Sequence, residues 1–132
     1  MTYLDSGVLL AAWKPGQFHD AAMLVLSQDH RSFVTSQAVR LELLPKPAFE
    51  RRRTELEFYH RYFAEAESDL PLNKELADEA QKLAERHGLA ALDALHIAAA
   101  IRQGANEFIT SELPGKPIFR VAGIKVVSLH KL

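Results

Sequence analysis

The chain has 132 residues, the length of one domain, and at that size about two-thirds of the unfolded surface can be buried. Sixteen basic against 17 acidic side chains leave a formal charge of −1, so no global field draws the chain to a polyanion or a membrane, and such a partner must meet a local patch. There is no cysteine, which excludes disulfides, thiolate catalysis and Cys-based zinc or iron–sulfur sites.

No apolar run is long enough to span a bilayer, and a strand-like pattern begins within two residues of Met1, leaving no room for a leader. The expected location is the cytoplasm. Thr2-Tyr3-Leu4-Asp5 reads as a short buried strand, Ser6-Gly7 as a turn, and Val8 to Trp13 as a helix stopped by Lys14-Pro15-Gly16. Phe18 to Asp29 has helical spacing in Phe18, Ala21, Ala22, Val25 and Leu26, and Ser32 to Thr35 is a second strand. Ser36 is placed to cap a helix bearing Val39, Leu41, Leu43 and Leu44, which Pro45 and Pro47 end.

Ala48 to Glu67 reads as one long, charged, aromatic helix, broken by Ser68-Asp69-Leu70-Pro71. Phe49, Leu56, Tyr59 and Phe63 form one stripe, while Phe58 and Tyr62 lie off it; either an aromatic core or a partner surface accounts for two apolar faces. Asn73 caps the next helix, with Leu76, Ala80 and Leu83 inward and Gly88 at its end. An alanine-rich helix carrying Asp93 runs to Gly104, and Glu107 to Thr110 is a further strand. After Pro114-Gly115-Lys116-Pro117, both Ile118–Val121 and Lys125–Ser128 read as strands. Short strands alternating with helices predict a single α/β domain over 1–132: a three-layer sandwich around a mainly parallel sheet of four to five strands. Ligands of such folds bind beyond the carboxyl ends of the strands, where Asp5 and Thr110-Ser111-Glu112 fall.

Four acids stand out by position: Asp5 and Glu112 after strands, Glu42 within a leucine-rich helix, and Asp93 at the mouth of an apolar one. Two carboxylates ~5 Å apart at an effective dielectric of ~20 repel by roughly 3 kcal/mol, so a convergent set must raise its pKa values or bind a cation. Oxygen donors without cysteine favour Mg²⁺ or Mn²⁺. Asp93 also has an ordinary reading as a cap or dipole partner, Asp5 as a turn aspartate, Glu42 as the partner of a neighbouring arginine, and Glu112 as a solvated charge. His96, three residues after Asp93, reads as a hydrogen-bonded core histidine. Arg51-Arg52-Arg53 has the charge to grip RNA phosphates, but, set among Glu50, Glu55 and Glu57, it reads first as a solvated ion-paired face. Lys14, Lys116 and Arg120 are the better phosphate contacts.

Tyr3-Leu4-Asp5-Ser6, Leu41-Glu42, Leu92-Asp93-Ala94-Leu95-His96-Ile97-Ala98 and Ile109-Thr110-Ser111-Glu112 occur in the order and spacing of the PIN domain family. Across essentially its whole length the chain resembles that family, and most of all its bacterial VapC-type toxins. The resemblance implies a Mg²⁺- or Mn²⁺-dependent endoribonuclease that hydrolyses RNA with a metal-activated water and is paired with a small antitoxin protein; the second apolar face of the 48–67 helix adds the expectation of a homodimer or of an antitoxin segment laid in a groove. It implies that Asp5, Glu42, Asp93 and Glu112 form the catalytic set, with Asp5 and Asp93 as metal ligands and Ser6 and Thr110 supporting. Glu112 departs from the family pattern, which most often has aspartate after the Thr-x pair, and reaches one methylene further. The alternative is a PIN-fold module, weak or inactive in catalysis, that binds RNA or a protein. A phosphotransfer enzyme with Asp5 as nucleophile lacks its usual second acid, because position 7 is glycine.

Overall fold

Tyr3-Leu4, Phe33-Val34 and Phe108-Ile109 are apolar pairs without the alternation of a one-sided sheet, the pattern of strands covered on both faces. The computed structural model describes residues 1–132. Its strands are β1 (Thr2–Leu4), β2 (Phe33–Ser36), β3 (Ser68–Leu70), β4 (Glu107–Thr110) and β5 (Lys125–Ser128). They form one five-stranded sheet in the order β3-β2-β1-β4-β5, and every pairing is parallel. The helices are α1 (Ser6–Trp13), α2 (His19–Ser27), α3 (Gln37–Leu43), α4 (Pro45–Phe49), α5 (Arg53–Glu65), α6 (Lys74–His87) and α7 (Ala91–Arg102).

Register assigns the faces. Tyr3 lies beside Val34 and Phe108, and this row looks toward α7, where Tyr3 meets His96. Tyr3 and Phe108 stack at 5.3 Å. The alternate residues, including Phe33 and Leu4, turn to the opposite face, where Phe33 packs on Tyr62 of α5. The three-layer α/β sandwich is therefore observed, with a core of 27 buried residues on both sides of the sheet. From the central β1 the chain winds out to β3, then crosses to β4 on the other side. The order reverses between β1 and β4, so a crevice opens beyond their carboxyl ends.

Several elements differ from the sequence expectation. Ser6 and Gly7 are the first turn of α1, because Asp5 supplies the N-cap and accepts from Val8 N–H at 3.1 Å. α3 ends at Leu43, just before Pro45 as expected, but Pro45 also starts a further helix, α4, its fixed φ and missing N–H suiting the first helical position. Ser68–Leu70 is a strand rather than a break; it is short, polar and at an edge, the form that discourages pairing with other chains. Ile118–Val121 is not a strand. Pro117 opens a 3₁₀ turn, Pro117–Arg120, that drives Ile118 into the core. The aromatics of α5 are mostly core: Tyr59, Tyr62 and Phe63 are buried and Phe58 packs on Trp13, whereas Phe49 on α4 is 89% exposed.

The long helix expected from Ala48 is two helices, α4 and α5. Arg51 takes a left-handed conformation, φ 56°. Its N–H reaches Ala48 O at 3.2 Å, and Arg52 N–H reaches Pro47 O at 2.8 Å. This is a Schellman cap with arginine where glycine is usual. The left-handed backbone costs a residue with a Cβ roughly 1–2 kcal/mol. Arg51→Gly is therefore expected to stabilise the fold by about 0.5–1 kcal/mol, the gain being reduced by glycine's greater freedom when unfolded. Urea denaturation checks it; a loss of stability would mean that the Arg51 side chain contributes more than its backbone costs.

Candidate active site

Asp5 ends β1 and starts α1, and only 8% of it is exposed. One carboxylate oxygen accepts from Val8 N–H and the other from the Thr110 hydroxyl at the end of β4. Thr110 Oγ1 in turn accepts Glu112 N–H at 3.1 Å, tying the backbone of the fourth acid to the first. Gly7 lets these elements close. A Cβ there would lie 2.2 Å from Ser111 Oγ and 3.2 Å from Ser111 Cβ. Burial pushes the Asp5 carboxyl up to about 6, against the pull of the Thr110 and Val8 hydrogen bonds and of His96; Asp93 adds to the rise.

Glu42 comes from α3. Its Oε1 accepts the Ser6 hydroxyl at 3.0 Å and also bonds His96 Nε2. A carboxylate only accepts, so that nitrogen carries a proton, and the hydrogen bond holds Glu42 below the usual carboxylate range. Nδ1 of His96 lies 2.8 Å from the Tyr3 hydroxyl, which lies 2.6 Å from Ser36 Oγ. Burial raises the Tyr3 phenol well above its ordinary value, so it remains a neutral link. A buried polar chain thus runs from Ser36 through Tyr3 and His96 to Glu42. His96 is 2% exposed; it is the hydrogen-bonded core histidine expected, with Glu42 as its partner at the surface end.

Asp93 lies in the first turn of α7 but caps nothing: the N-cap is Ala90 and no side chain caps this helix. Burial raises its carboxyl, and the charges of Glu112 and then Glu42 raise it further, offset in part by His96. The cap reading is thereby removed, and Asp93 is left among like charges.

Asp5, Glu42, Asp93 and Glu112 therefore share one electrostatic neighbourhood, with Ser6 and Thr110 hydrogen-bonded to Glu42 and Asp5 respectively. No three acids or histidines draw together closely enough to cage an ion. The donor set is nonetheless of hard carboxylate oxygens, and Asp5 and Asp93 form no ion pair with lysine or arginine. These properties suit an oxygen-preferring divalent cation that retains waters.

Lys14 lies beside Ser6 and Glu42 in a cleft of about 290 Å³. Lys116 and Arg120, on the loop and turn between β4 and β5, do not line it. Lys46, Glu55 and Tyr59, which do, were not among the expected site residues, and Arg52, read first as part of a solvated face, lines it too. The available signal was the spacing of Arg52, Glu55 and Tyr59, which puts successive members one helical turn apart.

A parallel α/β sheet with carboxylates gathered at its topological switch point defines the class. The model of the PIN domain matches residues 2–112, and the chain belongs to the PIN domain family. No curated protein matches it in sequence. Among solved structures it is similar to a toxin–antitoxin complex from Klebsiella pneumoniae, with TM-score 0.74 and 15% identity over 98% of each chain. It is similar to FitAcB from Neisseria gonorrhoeae, with TM-score 0.70 and 20% identity over 100% of each chain. It is also similar to VapC20 of Mycobacterium tuberculosis, a sarcin–ricin-loop-cleaving toxin, with TM-score 0.71 and 14% identity over 96% of this chain and 99% of that one. At these identities the likeness is one of fold. No helix is long and apolar enough to cross a membrane.

The pKa shifts give the apo protein a defined pH dependence. The folded chain keeps on Asp5 a proton that the unfolded chain releases at its ordinary 3.8 and the folded one at about 6. This contribution to stability is complete below 3.8 and is lost as pH rises through about 6. Asp93 acts in the same direction and Glu42 in the opposite one. Asp5→Asn, which keeps the size and can still accept from Val8, is expected to stabilise the metal-free protein by about 2–3 kcal/mol at about pH 7 and to flatten this decline. Urea midpoints with a chelator present, measured from acid to neutral pH, check it; equal midpoints at neutral pH would contradict an uncompensated buried charge.

Proposed function

We propose that the chain is a Mg²⁺- or Mn²⁺-dependent endoribonuclease, the toxin of a toxin–antitoxin pair. The observation that carries this reading is the electrostatic neighbourhood that Asp5, Glu42, Asp93 and Glu112 share beyond β1 and β4, where the buried Asp5 and the half-buried Asp93 pair with no lysine or arginine. Asp5 and Asp93 would hold the ion, with Glu42 and Glu112 reaching it through water. When bound, such an ion supplies Lewis acidity to water and to the scissile phosphate.

The chain's own groups fix the acids in place. Thr110 and Val8 set both oxygens of Asp5, so that carboxylate enters the reaction already oriented. Ser6 and His96 set Glu42, and the Tyr3 hydroxyl fixes the ring that does so. Glu42, kept ionised and oriented by His96, is suited to hold a water at the site through its part-exposed carboxylate. Glu112 is anchored only through its backbone, to Thr110 and to Ser128, which donates to Glu112 O at 2.6 Å.

Membership of the PIN family and likeness in fold to toxin–antitoxin structures support an antitoxin partner and RNA as substrate. Exposed Leu41 and Phe49, 60% and 89% accessible on α3 and α4, offer apolar surface to such a partner or to a second copy.

Incubating the purified protein with structured RNA, with and without Mn²⁺, tests the reading. Cleavage is expected only with the metal, and Asp5→Asn and Asp93→Asn should each lower the rate about a hundredfold or more. Equal cleavage by the variants would identify a contaminant. RNA binding without turnover would favour the non-catalytic module.

A further inference from the structure

The cleft beside Glu42 has an opposite end that the catalytic set does not use. It runs from Ser6 and Glu42 along α1 and is closed by the turn into α4 and the start of α5. Three cations border it, Lys14, Lys46 and Arg52. Lys14 and Lys46 are exposed and belong to no ion pair.

Arg52 is held differently. Its guanidinium bridges Glu50 and Glu55, at 2.9 Å each. Glu55 is 3% exposed and accepts the Tyr59 hydroxyl at 2.8 Å. A carboxylate is buried here at a cost, and the arrangement it secures is a fixed orientation of Arg52 in the cleft wall. The Schellman cap at Arg51 fixes the backbone from which that side chain starts. Arg52 Nε is buried and adds no donor to the cleft, but the side chain is 34% accessible and each terminal nitrogen has a second N–H beyond the one on a glutamate, so the fork keeps donor capacity. The two acids in the cleft are both engaged, Glu42 by His96 and Ser6, and Glu55 by Arg52 and Tyr59.

We propose that this end of the cleft is a phosphate subsite, in which Lys14, Lys46 and Arg52 take the backbone of single-stranded RNA to one side of the scissile bond. The inference rests on the ribonuclease reading of the acids and names where the strand leaves them. Lys14 lies eight positions after Ser6 along α1, roughly 12 Å on, so the lysine meets a phosphate beyond the one at the acids. In a chain of net charge −1, a local cationic cleft is also what a polyanion requires.

The test is fluorescence anisotropy of a short single-stranded oligoribonucleotide against salt, with Ca²⁺ replacing Mn²⁺. Mn²⁺-dependent cleavage is measured separately. The double variant Lys14→Gln/Lys46→Gln is expected to bind about tenfold more weakly at low salt, with a log–log salt slope shallower by about 0.7 for each phosphate no longer neutralised. Lys125→Gln, which removes one exposed charge from edge strand β5, is the control and should match wild type. Arg52→Lys keeps the charge but not the fork, so affinity should fall several-fold with little change of slope. Thermal melts separate this from misfolding. Unchanged affinity and slope in the double variant, or no RNA binding by wild type, overturns the subsite. Binding with the predicted slopes but no cleavage by wild type would overturn the ribonuclease reading instead, so the two fail separately.

Discussion

The arrangement depends on one buried carboxylate. Asp5 ends the central strand, caps α1 through Val8 N–H and accepts the hydroxyl of Thr110 from the neighbouring strand. Three elements are thereby held by two oxygens. The interaction that fixes the fold at its switch point is thus the same one that presents an acid to the crevice. A neutral residue would satisfy the packing at lower electrostatic cost, so the charge at this position serves something other than the fold.

A second layer of control lies beneath the sheet. Ser36, Tyr3, His96 and Glu42 form a polar chain that passes through the core and emerges beside Ser6. Satisfied networks of this kind restrict a core to one arrangement. Here the network links β1, β2, α3 and α7, and its one part-exposed carboxylate, with a side chain 29% accessible, faces the other acids. Rigid backing is what a site made of mutually repelling groups needs, since such groups otherwise separate.

The sequence was most legible where a chemical type recurs at a fixed structural position. Asp5 after an apolar pair, Asp93 at the mouth of an alanine-rich helix and Thr110 at a strand end could be read as neighbours because parallel α/β sheets gather such ends. Asn73 and Gly88 marked the ends of α6 because cap chemistry is local. What was not legible depends on tertiary context. Ser68–Leu70 has no apolar signal, yet it pairs because β2 offers an open edge. Ile118 to Val121 has strand composition, but Pro117 winds it into a 3₁₀ turn that buries Ile118. Arg51 caps α4 in a conformation usually marked by glycine or asparagine, which made two helices read as one. For the same reason Arg52 and Glu55 read as surface charges, although one lines a cleft and the other is buried.

The bond between Thr110 and Asp5 spans 105 positions of the chain. During synthesis β1 emerges among the first residues, but its place in the centre of the sheet cannot be filled on both sides until β4 has followed. Non-local pairings of this kind form late. Most of the polypeptide must therefore be made before the acids can meet, and a growing chain on the ribosome passes through synthesis without a finished acidic pocket. For a chain proposed to cleave RNA, this parallel topology itself delays activity until the polypeptide is nearly whole.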